Sequence, residues 1–435
     1  MAMARSWLRI PKDSPFSLAN IPFGIISSKS SAQPRPAIAI GDHALDLAAF
    51  SSGNGFSGLP SINPHLSVFS QPTLNAFAAL GRPVHRDVRR YLQSIFAEDT
   101  QLPQVLKSNA ELQKRALLPL SEIENHLPMA IGDYTDFYAG LNHAFNVGSM
   151  FRGPANALQP NYTHLPVGYH GRASSVVTSG TPIRRPWGQM LDNPASDPKV
   201  PSFRPCQKLD IELELGAFLC KSNQMGAPVS IRDAEDSLFG IVLLNDWSAR
   251  DIQAWEYVPL GPFNAKNFGT TISPWIVLAD ALEPFRTAGL ENKTKIQSYL
   301  DEGRKDTVYG LKLEVDIKTS SGTTTTLSKT SSSNLLWSFP QMIAHHSVTG
   351  CPLRVGDLLG SGTISGTEPG THGSLLEANQ NGKKTIELEG GEERKFLQDG
   401  DTIVLRGWAG EEGGLVGFGD CTGRIDPALD LTISR

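Results

Sequence analysis

The sequence is poor in cysteine, in charge and in long apolar runs. Four cysteines in 435 residues (Cys206, Cys220, Cys351, Cys421) are too few and too scattered for a disulfide scaffold, and none forms a C-x-x-C pair. They read as free thiols in a reducing compartment. Charged residues make up 19%, against an ordinary ~25%. Forty-four acids against 39 bases leave a formal charge of -5, so the basic excess that general nucleic-acid binding needs is missing. No stretch approaches the ~18 apolar residues of a membrane span. The start, Met1–Pro11, lacks the apolar core of a signal peptide, and the closing Ile433-Ser434-Arg435 is not a peroxisomal tripeptide. A soluble cytoplasmic protein without nucleic-acid or membrane partners is expected. Also absent are a G-x-S-x-G nucleophile elbow, H-E-x-x-H and a P-loop, which disfavours three common enzyme classes.

What is present points to a compact, turn-rich, β-leaning globule. Glycine (41) and proline (30) are plentiful, and the length suggests two or three domains at ~150 residues each. The first ~120 residues read as a separate module. Phe23–Ile26 and Ala37–Ile40 are short strands, and Val84, Val88, Tyr91, Leu92, Ile95 and Phe96 form a helical core stripe. Leu117–Pro128 reads as a connector. Beyond it, Leu209–Leu215, Leu311–Ile317, Thr385–Glu389 and Thr402–Arg406 suit strands. Asn381-Gly382 signals a hairpin between Ser374–Gln380 and Lys383–Glu389. The Ser/Thr-rich Thr319–Asn334 reads as an exposed hairpin or loop.

Ile211–Leu215 alternates so that Glu212 and Glu214 share one strand face, with Cα atoms ~6.5 Å apart. Glu314 and Asp316 repeat the pattern, which any half-exposed strand produces, so E-x-E alone is weak. Context strengthens the first pair. The buried run Phe239–Asn245 ends in Asp246, and Asp136 opens another segment. Carboxylates ~5 Å apart repel by ~3 kcal/mol per pair at an effective dielectric near 20. Their convergence would need a cation, and an all-oxygen set favours Ca²⁺ or Mg²⁺ over Zn²⁺.

Asp246–Tyr257 reads as a strand end entering a helix with Ser248 as N-cap. Arg250, Gln253 and Tyr257, at i, i+3 and i+7, would share a face suited to a carbonyl oxygen that becomes an oxyanion. A solvated polar face is the plainer reading of that triplet alone. Lys266 could return to the same place. In a helix, Asp136 and His143 would share a face, and a neutral imidazole can activate water. His170, His345 and His346 compete for that role. Leu359–Gly366 could form a backbone nest for an anion, or an ordinary glycine turn. Spacing alone reaches a metal-assisted enzyme acting on a carbonyl.

Together the segments Ile131–Tyr138, Leu165–Arg172, Asn245–Phe263, Phe268–Trp275 and Gly356–Gly366 resemble the fumarylacetoacetate hydrolase family over nearly the whole chain. The resemblance implies an α+β, mainly β fold. Residues 1–120 would form a small SH3-like β-barrel with helices, and 121–435 a catalytic mixed β-roll, assembled as a homodimer. It implies hydrolysis of the β-diketone diacid 4-fumarylacetoacetate to fumarate and acetoacetate, in tyrosine and phenylalanine catabolism. Carried onto matching positions, Asp136, Glu212, Glu214 and Asp246 would bind Ca²⁺, with Lys266 and Thr270 at a Mg²⁺ site. His143 would be the base, oriented by Glu377 on the strand before Asn381-Gly382. Arg250, Gln253 and Lys266 would form the oxyanion site. Tyr138, Arg152, Tyr169, Gln253, Tyr257 and Thr363 would hold substrate. Asn267 and the loop Glu368–His372 depart from the family pattern. Related acylpyruvate hydrolases and decarboxylases, or a non-catalytic calcium-stabilised β-roll, are the alternatives.

Overall fold

The computed structural model describes residues 5–431; the terminal segments read above lie partly or wholly outside them. The fold is mixed α+β and mainly β. Its N-terminal sheet is antiparallel, with strands β1 (Phe23–Ser28), β2 (Ser31–Ile40), β3 (His43–Asp46), β4 (Leu117–Pro119) and β5 (Ile123–His126) in the order β4-β3-β2-β1-β5. The stretch expected to be a connector therefore supplies both outer strands. Its apolar residues find edge partners on β3 and β1, which local sequence does not reveal. The helical stripe folds as Arg82–Phe96, burying Val88, Tyr91, Leu92, Ile95 and Phe96.

A larger mixed sheet places the chemistry. Its strands run Gly168–His170, Tyr134–Phe137, Leu358–Gly360, Leu213–Leu219, Leu238–Asp246, Thr270–Ile272, Val176–Thr178. Leu213–Leu219 and Leu238–Asp246 are buried along their full length. Successive side chains of a strand point to opposite faces. Leu213, Leu215 and Ala217 accordingly enter one core, shared with Ile241, Leu243 and Leu313. Phe218, Val242, Leu244, Tyr134 and Leu358 enter a second core, built largely from the N-terminal residues Phe23, Phe69, Phe77 and Leu92. The N-terminal region thus packs its apolar side on the back of this sheet. Each such large side chain contributes roughly 1.5–3 kcal/mol on burial.

A further sheet carries the second acidic alternation. Lys312–Lys318 pairs with Thr324–Ser331 and with Thr402–Ala409, so the Ser/Thr-rich segment forms the expected hairpin. The Asn381-Gly382 hairpin does not form. Ser374 caps a helical turn, Leu375–Ala378, by accepting from the Glu377 amide, and Gln380, Asn381 and Gly382 then take left-handed φ of 52°, 57° and 81°. The dipeptide turns the chain, but it leaves a helix rather than joining two strands, and only Ile386–Glu387 of the following segment is extended. The four cysteines are unpaired. No helix among the described residues is long and apolar enough to cross a membrane.

Candidate active site

The second-core face of the large sheet becomes acidic at one end. Alternation from Tyr134 brings Asp136 onto that face, alternation from Leu244 brings Asp246, and Glu214 stands two positions before Gly216 on the same side as Phe218. Glu212, just ahead of its strand, completes the set. One carboxylate oxygen from each of Asp136, Glu212, Glu214 and Asp246 lies within 4.8 Å of all the others, and all four residues are buried. Asp136 thus sits on a strand and His143 on the helix Leu141–Arg152, not together on one helix as the seven-residue spacing suggested.

The electrostatics of this cluster ask for a cation. Burial, then the charges of its acidic neighbours, push Asp136 and Glu214 well above the carboxylate range. Burial also raises Asp246, against the opposing pull of Lys266. Glu212 goes the other way: burial would raise it, but Lys266 and Arg250 hold it far below its ordinary value. Lys266 Nζ donates to Glu212 and, at 2.7 Å, to Asp246. Burial works against its charge, but Asp246 and Glu212 raise its affinity for its proton, so it is a counter-charge with no free lone pair. Thr270 Oγ1 donates to Asp246 at 3.3 Å. Asp136 Oδ1 and Glu214 Oε1 remain buried without a hydrogen-bond partner, as does the Tyr134 hydroxyl. The cradle also depends on Gly360. A Cβ there would stand 2.7 Å from Asp136 Oδ1 and 3.0 Å from Glu214 Oε2. Orphaned oxygens converging on a space kept open by glycine fit a hard divalent ion.

Beside the cluster stands a carboxylate–imidazole pair. His143 Nδ1 is 2.6 Å from Glu377 Oε2. Burial would raise Glu377, but His143, Asn146 and Ser374 hold it down at about 2, so it is a carboxylate and Nδ1–H donates to it. The neutral tautomer then presents Nε2 as an acceptor on the cluster side, 3.7 Å from Glu212 Oε1. Ser365 and Ser374 each donate to Glu377 Oε2 at 2.8 Å, and Asn146 donates to Oε1 at 2.9 Å. The other histidines are engaged elsewhere: His346 Nε2 with Thr135 Oγ1, and His345 Nδ1 with the Tyr299 hydroxyl, while His170 is exposed.

Arg250 opens a helical turn, Arg250–Glu256, whose N-cap is Ala249; Ser248 instead donates to the Asp246 carbonyl. Its guanidinium reaches Asp210 through Nε at 2.9 Å and Glu212 through Nη2 at 2.8 Å. Its Nη1 donates to Gln253 Oε1 at 3.1 Å, which leaves the Gln253 amide donors free. The glycine-rich segment after Leu359 meets an anion of the chain itself, as the Gly362 amide donates to Glu214 Oε2 at 3.0 Å.

Asp136, His143, Glu212, Glu214, Arg250, Gln253 and Lys266 line one cavity of ≈ 870 Å³. Tyr138 stands edge-on to His143 at 5.5 Å. Tyr169 donates to Asp246 at 3.1 Å, Thr363 Oγ1 is buried without a partner, and Tyr257 is half exposed. Arg152 directs Nε and Nη2 to the carbonyls of Asn156 and Ala157, leaving Nη1. Sequence reasoning missed Asp210, Ser365, Ser374, Asn146 and Gly360. Only Ser374 carried a local signal, the S-x-x-E spacing of a capping box ahead of Glu377.

The family model "Fumarylacetoacetate (FAA) hydrolase C-terminal" matches residues 134–426, and "Fumarylacetoacetase N-terminal" matches residues 19–128. The chain belongs to the fumarylacetoacetate hydrolase family. Within it, the chain is 69% identical to the Aspergillus fumigatus fumarylacetoacetase, over 98% of this chain and 99% of that protein. It is 67% identical to the Emericella nidulans fumarylacetoacetase, over 98% and 100%. With the human fumarylacetoacetase it shares 46%, over 98% and 99%. The solved fumarylacetoacetate hydrolase of the psychrophilic Exiguobacterium antarcticum shares the fold at TM-score 0.52 and 16% identity, over 94% of this chain and 99% of that one.

Proposed function

We propose that this family member hydrolyses 4-fumarylacetoacetate to fumarate and acetoacetate, the last step of tyrosine and phenylalanine breakdown. The full-length likeness to fumarylacetoacetases at 46–69% identity supports the substrate. The observation that carries the chemistry is the His143 imidazole, held through Nδ1 by buried Glu377 and facing the four-carboxylate cluster with Nε2. A water proton moves to Nε2 as the water oxygen bonds to a diketone carbonyl carbon. The oxyanion faces donors from Arg250, Gln253 and Lys266. Collapse breaks the carbon–carbon bond; the electron pair leaves on the acetoacetate carbon, which then takes a proton. No covalent enzyme intermediate is required, in keeping with the missing nucleophile motif.

Asp136, Glu212, Glu214 and Asp246 would hold the divalent ion, whose all-oxygen donors suit Ca²⁺ or Mg²⁺. When bound, it would polarise the diketone oxygens. Lys266 and Thr270 border that site through Asp246 rather than closing it. Arg152 Nη1, Tyr138, Tyr169, Gln253, Tyr257 and Thr363 would receive the diacid. The N-terminal sheet would be the SH3-like element and the remainder the mixed β-roll. A cytoplasmic homodimer belongs to the same reading. Exposed Phe203, Val258, Leu260 and Phe263 support the dimer, since a second copy would cover them; a single-chain mass by light scattering would remove it. The decisive experiment mixes purified protein with fumarylacetoacetate and follows the enol chromophore. Loss that stops on chelation and returns with Ca²⁺ or Mg²⁺ is expected. A stable chromophore would sink the substrate, and turnover after complete chelation would sink the ion.

A further inference from the structure

Asp210 has no exposed surface and touches both halves of the machinery. Its Oδ1 accepts from the amides of Ile211 and Leu375, each at 2.8 Å. Its Oδ2 accepts from the Leu376 amide at 3.0 Å and from Arg250 Nε at 2.9 Å. Leu375 and Leu376 open the helical turn that ends in Glu377 and Ala378. Arg250 comes from the turn that follows the Asp246 strand. One carboxylate therefore ties the guanidinium facing the oxyanion to the segment that carries the partner of His143.

The strand beneath Asp210 makes this tie stiff. Asp210 pairs with Ser248 and Leu209 with Ala249, so the arm that delivers Arg250 is fixed to the Asp210 backbone as well as to its side chain. Leu213, three residues on, donates its amide N–H to the carbonyl of Gly373, immediately ahead of the Ser374 cap. The other side-chain partners of Arg250 are Gln253 and Glu212, neither of which touches the Glu377 segment. We infer that Asp210 is a positioning residue, which sets the spacing between the Arg250 donors and the His143–Glu377 pair so that both meet one substrate carbonyl. This rests on the hydrolytic reading above.

Asp210→Asn keeps the volume but replaces one acceptor oxygen by a donor, so two of the four N–H groups lose their partner. Two readouts separate positioning from mere stability. The first is the split of kinetic constants. A misplacement near 1 Å costs about 10²-fold in rate, so kcat should fall by about that factor while KM stays within a few-fold. The second needs no substrate: the far-downfield proton of the 2.6 Å His143–Glu377 hydrogen bond, seen by proton NMR, should shift or vanish although both of its residues are intact. Should Asp210→Asn fail to fold, Asp210→Glu, which keeps both oxygens on a longer arm, carries the same two expectations. Wild-type kcat in a folded variant overturns the inference. A loss of kcat with an unmoved proton also overturns it, because Arg250 alone would then be affected, as does a loss that merely tracks the unfolded fraction. If the wild-type chain fails to hydrolyse fumarylacetoacetate, the functional reading falls, and the proton signal alone decides whether Asp210 positions the pair.

Discussion

Two strands of this protein carry the same local pattern and meet opposite fates. In Glu212-Leu213-Glu214 the acids point to a buried sheet end, where Glu214 is opposite Leu244, Glu212 is paired with Lys266 and Arg250, and both acids converge with Asp136 and Asp246. In Glu314-Val315-Asp316 the acids lie on the sheet of Lys312–Lys318, Thr324–Ser331 and Thr402–Ala409, where Glu314 is directly opposite both Lys329 and Arg406. Lys329 Nζ reaches Glu314 at 3.1 Å, and Arg406 Nη1 reaches Asp316 at 2.5 Å. The outer pair is neutralised by cross-strand cations. At the inner end only Lys266 and Arg250 face four carboxylates, and that excess of negative charge could hold a metal ion. An alternating acid pattern is therefore neutral in meaning until its neighbouring strands are known.

The comparison can be broken most forcefully at the group found only beside the inner strand. His143→Ala should lower kcat by about 10²–10⁴-fold, the range for general base catalysis, with the circular dichroism and the Ca²⁺-induced rise in melting temperature unchanged; normal turnover would remove His143 as the base. Next comes Gly360→Ala, whose methyl group would crowd Asp136 and Glu214. Calorimetric affinity for Ca²⁺ should drop about tenfold or more, comparable to disturbing the supports of a ligand set, and an unaltered isotherm would count against the cradle.

Glu214→Gln separates repulsion from ion binding. With a pair repulsion of up to about 3 kcal/mol near this spacing, the chelated variant should be more stable than the chelated wild type in urea melts, yet should gain less on adding Ca²⁺. A variant that is less stable without ions would show that the cluster is not strained. The smallest effect belongs to the outer strand. Asp316→Asn should cost at most about 1 kcal/mol, as expected for a partly exposed ion pair, and should leave the Ca²⁺ response as it was. A lost response there would erase the contrast.

Alternation, a property of the backbone itself, made Glu212, Glu214 and the buried run ending in Asp246 legible in the sequence, and the long family-like segments named His143, Arg250 and Lys266. The Asn381-Gly382 segment departs from the hairpin its sequence suggests because its turn chemistry is real but its partner is not a strand: Ser374 starts a helix there, and Glu377 faces inward onto His143. Leu117–Pro128 hides its strands from the local sequence because edge strands owe their conformation to β1 and β3. By itself the sequence determined periodicity, burial tendency and the residue types available for chemistry, since these follow from steric preference and hydrophobicity along a local stretch. Only the tertiary structure decided which acids stay without a cation, which histidine faces them, and that Asp210 joins two distant turns. Coulomb energy and hydrogen-bond geometry depend on distances through space that no separation along the chain encodes.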